Sequence, residues 1–155
     1  MPADPRAFVD TNVLLYAHDA SESLKQPIAR TTLETLWRER RGTLSTQVLQ
    51  EFYVAATQKL ARPLARREAR EIIDLYSAWP VVAIDATLIL AATRIEEEQR
   101  LSFWDALILE AARLSGADRV LTEDLQHGRI IGGVRIENPF TSAGATPRGE
   151  VFGGR

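Results

Sequence analysis

Four carboxylates in this 155-residue chain have sequence contexts that would let them act together. Asp10 closes the apolar run "AFVD", Glu51 lies within "STQVLQEFYVAA", Asp105 within "SFWDALILEAA" and Asp124 within "LTEDL". Three of them have ordinary structural explanations. Asp10 or Thr11 can N-cap a helix starting near Asn12, and Asp105 stands three residues after Ser102, close to a capping-box pattern. Asp124 can favour the positive end of a short helix. Glu51 fits such explanations less well. Its helical neighbours Val48 and Ala55 place it on or beside an apolar stripe, where a carboxylate is desolvated unless paired. A buried arginine would be its plain structural partner.

The elements that must position these residues alternate in type. Short β-favouring runs at residues 7–10, 43–46, 81–84, 119–122 and 134–137 are separated by longer segments of helical period. That alternation predicts an α/β fold with a mostly parallel central sheet of four to five strands flanked by helices. One helix has Pro27 in its first turn and is expected to stop at Gly42; another follows Ser45 or Thr46 as its N-cap. A third, around Ile72 and Tyr76, ends at Trp79-Pro80; a fourth runs through Leu88 and Ile95, and a fifth from Ala106 to Leu114 before Gly116.

In open parallel sheets, ligands bind beyond the carboxyl ends of the strands. Asp10 and Asp124 fall at strand ends, Asp105 at a helix start and Glu51 one turn into a helix that follows a strand, so all four are expected at one edge. Carboxylates about 5 Å apart repel by roughly 3 kcal/mol per pair at an effective dielectric near 20. A divalent cation relieves that repulsion, and all-oxygen ligands favour a hard ion such as Mg²⁺ or Mn²⁺.

Composition narrows the remaining choices. The length suits one domain with a core of its own, and 45% hydrophobic against 26% charged residues is ordinary for a soluble protein without a membrane span. Cysteine is absent, which excludes disulfides, thiolate metal sites and a cysteine nucleophile. The opening "MPADPRAFVD" has no apolar signal region, so a cytoplasmic location is expected. A formal charge of −2 excludes a general polycation, yet Arg38, Arg40 and Arg41 cluster, as do Arg62, Arg66, Arg67 and Arg70. These are either phosphate contacts or a solvated helix face. Residues 139–155 turn rich in Gly, Pro, Ser and Thr and read as a flexible tail, with Phe152 as a possible docking point.

In these four acidic motifs the sequence resembles the PIN-domain ribonucleases and, among them, the VapC toxins of bacterial toxin–antitoxin pairs. The motifs that carry the likeness are "VDTNVLLYA", "QVLQEFY", "SFWDALILEAA" and "LTEDLQHG". It spans about Ala7 to Asn138, so residues 1–138 form the expected PIN domain. The resemblance implies a three-layer PIN-like fold and metal-dependent hydrolysis of single-stranded RNA. It implies Asp10 and Asp105 as direct metal ligands, Glu51 and Asp124 completing the pocket, and Thr11 and Asn12 orienting the carboxylates. It also implies a homodimer and a VapB-like antitoxin that covers the acidic edge.

Other titratable residues take plainer readings. Asp85 reads as a helix cap, His18 and His127 as isolated histidines, and Glu123 as a possible stand-in ligand beside Asp124. An aspartyl phosphatase would need a carboxylate where Asn12 stands, a receiver pocket would need a late lysine, and no glycine-rich phosphate loop is present. A PIN nuclease of RNA processing and a non-catalytic PIN-fold binding module stay open as alternatives.

Overall fold

The computed structural model describes residues 5–141. In chain order the elements are β1 (Arg6–Val9), α1 (Thr11–Ala17), α2 (Lys25–Glu39), β2 (Gly42–Ser45), α3 (Thr46–Gln58) and α4 (Arg66–Tyr76). They continue as β3 (Val81–Val82), α5 (Ala86–Gln99), α6 (Phe103–Leu114), β4 (Ala117–Leu121), β5 (Ile130–Ile131) and β6 (Val134–Glu137). The sheet order is β3-β2-β1-β4-β6-β5, parallel throughout except for the β5–β6 hairpin. The α/β class with a mostly parallel sheet is as the alternation predicts.

The described residues hold one strand more than the four to five expected. That strand, β5, is too short for a periodic signal. Gly132 and Gly133, with φ of 57° and 83°, turn it back onto β6, the backbone sign that a two-residue hairpin requires.

The topology creates the site. From β1 the chain steps outward through β2 to β3 on one side, then crosses to β4 on the other, so the order reverses between β1 and β4. At such a reversal the following connections part and leave a crevice beyond the strand ends. Asp10 follows β1 and Asp124 lies just after β4. Register brings their strands level: Phe8 pairs with Val120 and Val9 with Leu121, and the Asp10 amide donates to the Leu121 carbonyl at 3.0 Å. Ala7, Phe8 and Val9 are fully buried in the middle of the sheet, which makes the position of Asp10 rigid.

Local chemistry sets the helix ends. Of the two caps the sequence leaves open for α3, Ser45 is the one, accepting from the Val48 amide at 3.4 Å, and Asp85 caps α5 by accepting from the Leu88 amide at 2.9 Å, as read from sequence. Gly116 takes the left-handed conformation just after α6. Gly42 plays a different part from the expected one. Helix α2 stops earlier, at Arg40, which itself adopts the left-handed conformation, while Gly42 opens β2 beneath Trp79. A Cβ on Gly42 would come within 2.5 Å of the Trp79 ring, so only glycine admits the aromatic group formed by Trp37, Tyr76 and Trp79.

At the other end, the expected tail begins with a residue that packs. Phe140 is buried and meets the Tyr16 ring edge-to-face at 5.2 Å. The rest of it, residues 142–155 with Phe152, lies outside the described residues. No helix among the described residues is long and apolar enough to cross a membrane.

Candidate active site

Asp10 is the N-cap of α1 and only 4% exposed. Its Oδ1 accepts from the Thr11 amide at 2.7 Å, and its Oδ2 accepts from the Thr122 hydroxyl at 2.7 Å and from Asn12 Nδ2 at 3.5 Å. Asp10 is thus the cap that its sequence context allows and is also exposed to the charges of Asp124 and Glu51. Burial pushes the Asp10 pKa up to about 7; the Thr122 hydrogen bond opposes this, the charge of Asp124 adds to it, the Thr11 amide opposes it and the charge of Glu51 adds to it. Among the described residues no lysine, arginine or histidine lies within ion-pair distance of it.

Asn12 joins Asp10 to Asp124. Its Nδ2 donates to Asp124 Oδ2 at 3.0 Å and to the Thr122 hydroxyl at 3.3 Å, while its Oδ1 accepts from the Glu123 amide at 3.2 Å. With an amide donor on one side and carboxylates on the other, the orientation of the Asn12 amide has no alternative. Thr122, fully buried at the end of β4, also accepts from the Asp124 amide at 3.0 Å. It was not singled out in the sequence; the one signal was a hydroxyl two residues before Asp124 at a strand end.

Glu51 differs from its sequence reading. It is exposed at the rim of α3, because the stripe that faces the core runs through Val48, Phe52 and Ala56 and leaves Glu51 a third of a turn away. Its partners are neutral: the Thr11 hydroxyl donates to Oε1 at 2.8 Å and Gln47 Nε2 to Oε2 at 3.3 Å. The expected second role of Thr11, orienting a carboxylate, thus falls on Glu51 through its hydroxyl and on Asp10 through its amide.

Asp105 is half-buried in the first turn of α6, where Ser102 caps the helix by accepting from the Asp105 amide at 3.1 Å. The carbonyl of the preceding residue, Trp104, accepts from Gln47 Nε2 at 3.3 Å. Asp10, Asp124 and Glu51 thus share hydrogen-bonding residues and one electrostatic environment, and the first turn of α6, which carries Asp105, is tied to α3 by Gln47.

The remaining candidates separate. Glu123 is held by the Tyr16 hydroxyl and by Lys25 Nζ, which also lies 4.7 Å from the centre of the Tyr16 ring, so its carboxylate is spent on fastening α1 and α2 to the loop after β4. His127 is exposed, and its Nδ1 accepts from the Asn138 amide at 3.0 Å. His18 packs on Phe52 with its pKa lowered by burial and by the charge of Arg30. Arg41 is tied to Glu39 and to the Pro5 carbonyl, whereas Arg62, Arg66, Arg67 and Arg70 are exposed around the start of α4.

Among the described residues no group of three or more His, Asp or Glu side chains stands at metal-holding spacing. The chemistry of the donors nevertheless suits a hard cation: a buried carboxylate, raised in pKa by burial and by two acidic neighbours and lacking a cationic partner, in a set made only of oxygen ligands. Trp104, which precedes Asp105, is 60% exposed, an unusual setting for an indole.

Comparisons with known proteins bear on the fold and the family. Among curated proteins none matches the sequence. Of solved structures, a toxin–antitoxin complex from Klebsiella pneumoniae superposes with a TM-score of 0.65 at 20% identity, covering 86% of this chain and 97% of that one. The DNA-bound VapBC of Salmonella typhimurium gives a TM-score of 0.62 at 20% identity, covering 87% and 98%. VapC20 of Mycobacterium tuberculosis, a Sarcin-Ricin loop cleaving toxin, gives 0.52 at 22% identity, covering 74% and 86%. These likenesses establish a shared fold. The family model of the PIN domain matches residues 7–132, most of the chain, and with it the chain belongs to the PIN-domain family.

Proposed function

We propose that the protein is a metal-dependent endoribonuclease that cuts single-stranded regions of RNA in the cytoplasm, as the toxin of a VapBC-type pair. The observation that carries this reading is Asp10: a carboxylate buried at the topological switch point, beside two further acids, with no cation among the described residues to balance it. Asp10, Glu51, Asp105 and Asp124 would hold Mg²⁺ or Mn²⁺. When bound, such an ion lowers the pKa of a coordinated water and offsets charge on the scissile phosphate. Thr11, Asn12 and Thr122 hold the carboxylates in place so that their charge is fixed before substrate arrives. Trp104 presents an indole face on which an unpaired base can stack, a contact that the acidic surroundings do not repel. The exposed arginines at the start of α4 supply charge for the phosphate backbone.

By its likeness to the VapBC complexes, the protein would work as a homodimer held inactive by a VapB-like antitoxin. The decisive experiment is a cleavage assay on a panel of structured RNAs, using protein stripped of metal, with Mg²⁺ or Mn²⁺ restored or withheld by EDTA. Cleavage that needs the ion is expected, and undiminished cleavage in EDTA would overturn the metal mechanism. Growth arrest on expression, relieved by the adjacent antitoxin gene, is expected of the toxin. Harmless expression with selective cleavage in vitro would assign the protein to RNA processing instead.

A further inference from the structure

We infer that Gln47 is a positioning residue of this site, clamping the Glu51 carboxylate on α3 to the first turn of α6, which carries Asp105. Like the assignment of the acids to metal binding, it rests on the nuclease reading.

Gln47 precedes Glu51 by one helical turn, so both lie on the same face of α3. Its side chain is buried, 5% exposed, and spends both amide hydrogens at that edge: Nε2 lies 3.3 Å from Glu51 Oε2 and 3.3 Å from the Trp104 carbonyl. Rotating the amide would aim Oε1 at two acceptors, so the orientation is dictated by its partners. The consequence is that Oε1 is left buried with no hydrogen-bond partner among the described residues.

A buried acceptor without a donor lowers stability, and Gln47 adjoins Val48, which is fully buried. Stability alone would favour methionine or leucine there. What glutamine supplies is a tie between two acidic elements. Glu51 is held at Oε1 by Thr11 of α1 and at Oε2 by Gln47, and the first turn of α6 is held by Ser102 within its own chain segment and by Gln47 from α3. Removing the tie frees the Glu51 carboxylate to rotate and lets α6 shift relative to α3, so the acids lose their fixed spacing.

The test compares wild type with Gln47→Met, which keeps volume and removes all polar atoms, and Gln47→Asn, which keeps the amide but shortens its reach. Mn²⁺ is titrated while melting temperature is followed, and RNA cleavage is measured in parallel. In both variants the Mn²⁺ midpoint should rise about 10- to 100-fold, the usual consequence of losing a residue that orients a metal ligand. KM for RNA should stay unchanged, and metal-free Gln47→Met should melt no lower than wild type. If Gln47→Met does not fold, the midpoint of Gln47→Asn decides. Midpoints equal to wild type overturn the inference and make Gln47 a packing residue. A wild type that neither cuts RNA nor responds to Mn²⁺ removes the nuclease reading first, and this inference with it.

Discussion

Asp10 and Glu110 are equally buried, each 4% exposed, yet the fold treats them in opposite ways. Glu110, on the inner face of α6, receives both arms of Arg113 one turn further on, with Nε at 3.0 Å and Nη2 at 2.6 Å. The ion pair closes within a single helix, and the guanidinium reaches solvent, its side chain 52% exposed. Among the described residues Asp10 receives neutral donors from Thr11, Thr122 and Asn12, and the charges that shift it are acids. Paired burial suits a carboxylate that serves the fold, whereas burial among like charges, with the raised pKa it brings, is the setting in which functional carboxylates are found.

The largest contrast should appear on neutralising each carboxylate. Asp10→Asn keeps a competent helix cap and removes one charge from a repelling group. RNA cleavage should fall by at least about 100-fold, or roughly 2.7 kcal/mol in activation free energy, while the metal-free protein melts at the same or a higher temperature. Stabilisation by Mn²⁺, about 1.4 kcal/mol in wild type at ten times the dissociation constant, should disappear. Melts across a Mn²⁺ titration, paired with the cleavage assay, measure all three. An Asp10→Asn protein that cuts RNA normally would put Asp10 in the same structural class as Glu110.

Proton linkage sharpens the contrast next. The folded protein raises Asp10 from 3.8 to about 7, so it binds that proton more tightly than the unfolded chain does. The contribution to stability is therefore full below pH 3.8 and is lost as pH rises to about 7, at a slope of up to about 1.4 kcal/mol per unit. Metal-free wild type should lose stability between pH 5 and pH 7 relative to Asp10→Asn, whose own curve lacks this component. Denaturant titrations in EDTA at several pH values would show it, and parallel curves for the two proteins would contradict it.

The smallest effect belongs to Glu110→Gln. Loss of a charged hydrogen-bonded pair should lower stability by on the order of 1–3 kcal/mol, the half-exposed Arg113 turning to water, with RNA cleavage and the Mn²⁺ response unchanged. Thermal melts and the same cleavage assay suffice. A Glu110→Gln protein that lost Mn²⁺ binding would mean that the paired carboxylate also serves the site.

What sequence alone determined about this protein is what depends on near neighbours. The alternation of β-favouring and helical runs is a periodicity within each element, and it marked the α/β class; Asp85 and Ser45 cap helices because the amide they accept from lies three residues on. The four acids were conspicuous because each sits at a strand end or in the first turns of a helix. Tertiary structure alone decided the rest. Thr122 meets Asp10 across a separation of 112 residues, and Gln47 meets the Trp104 carbonyl across 57, contacts that no local pattern encodes. The same holds for Gly42, whose missing Cβ is needed by Trp79 on a later segment, and for Glu123, which is drawn away from the acids by Tyr16 and Lys25. The sequence puts Glu51 on or beside an apolar stripe, and such a stripe bounds a side chain's exposure only to within about one residue's rotation, roughly 100°. Whether that residue faces the core or the rim is set by what packs over it, and at this edge α1 supplies a hydroxyl rather than a hydrophobic cover.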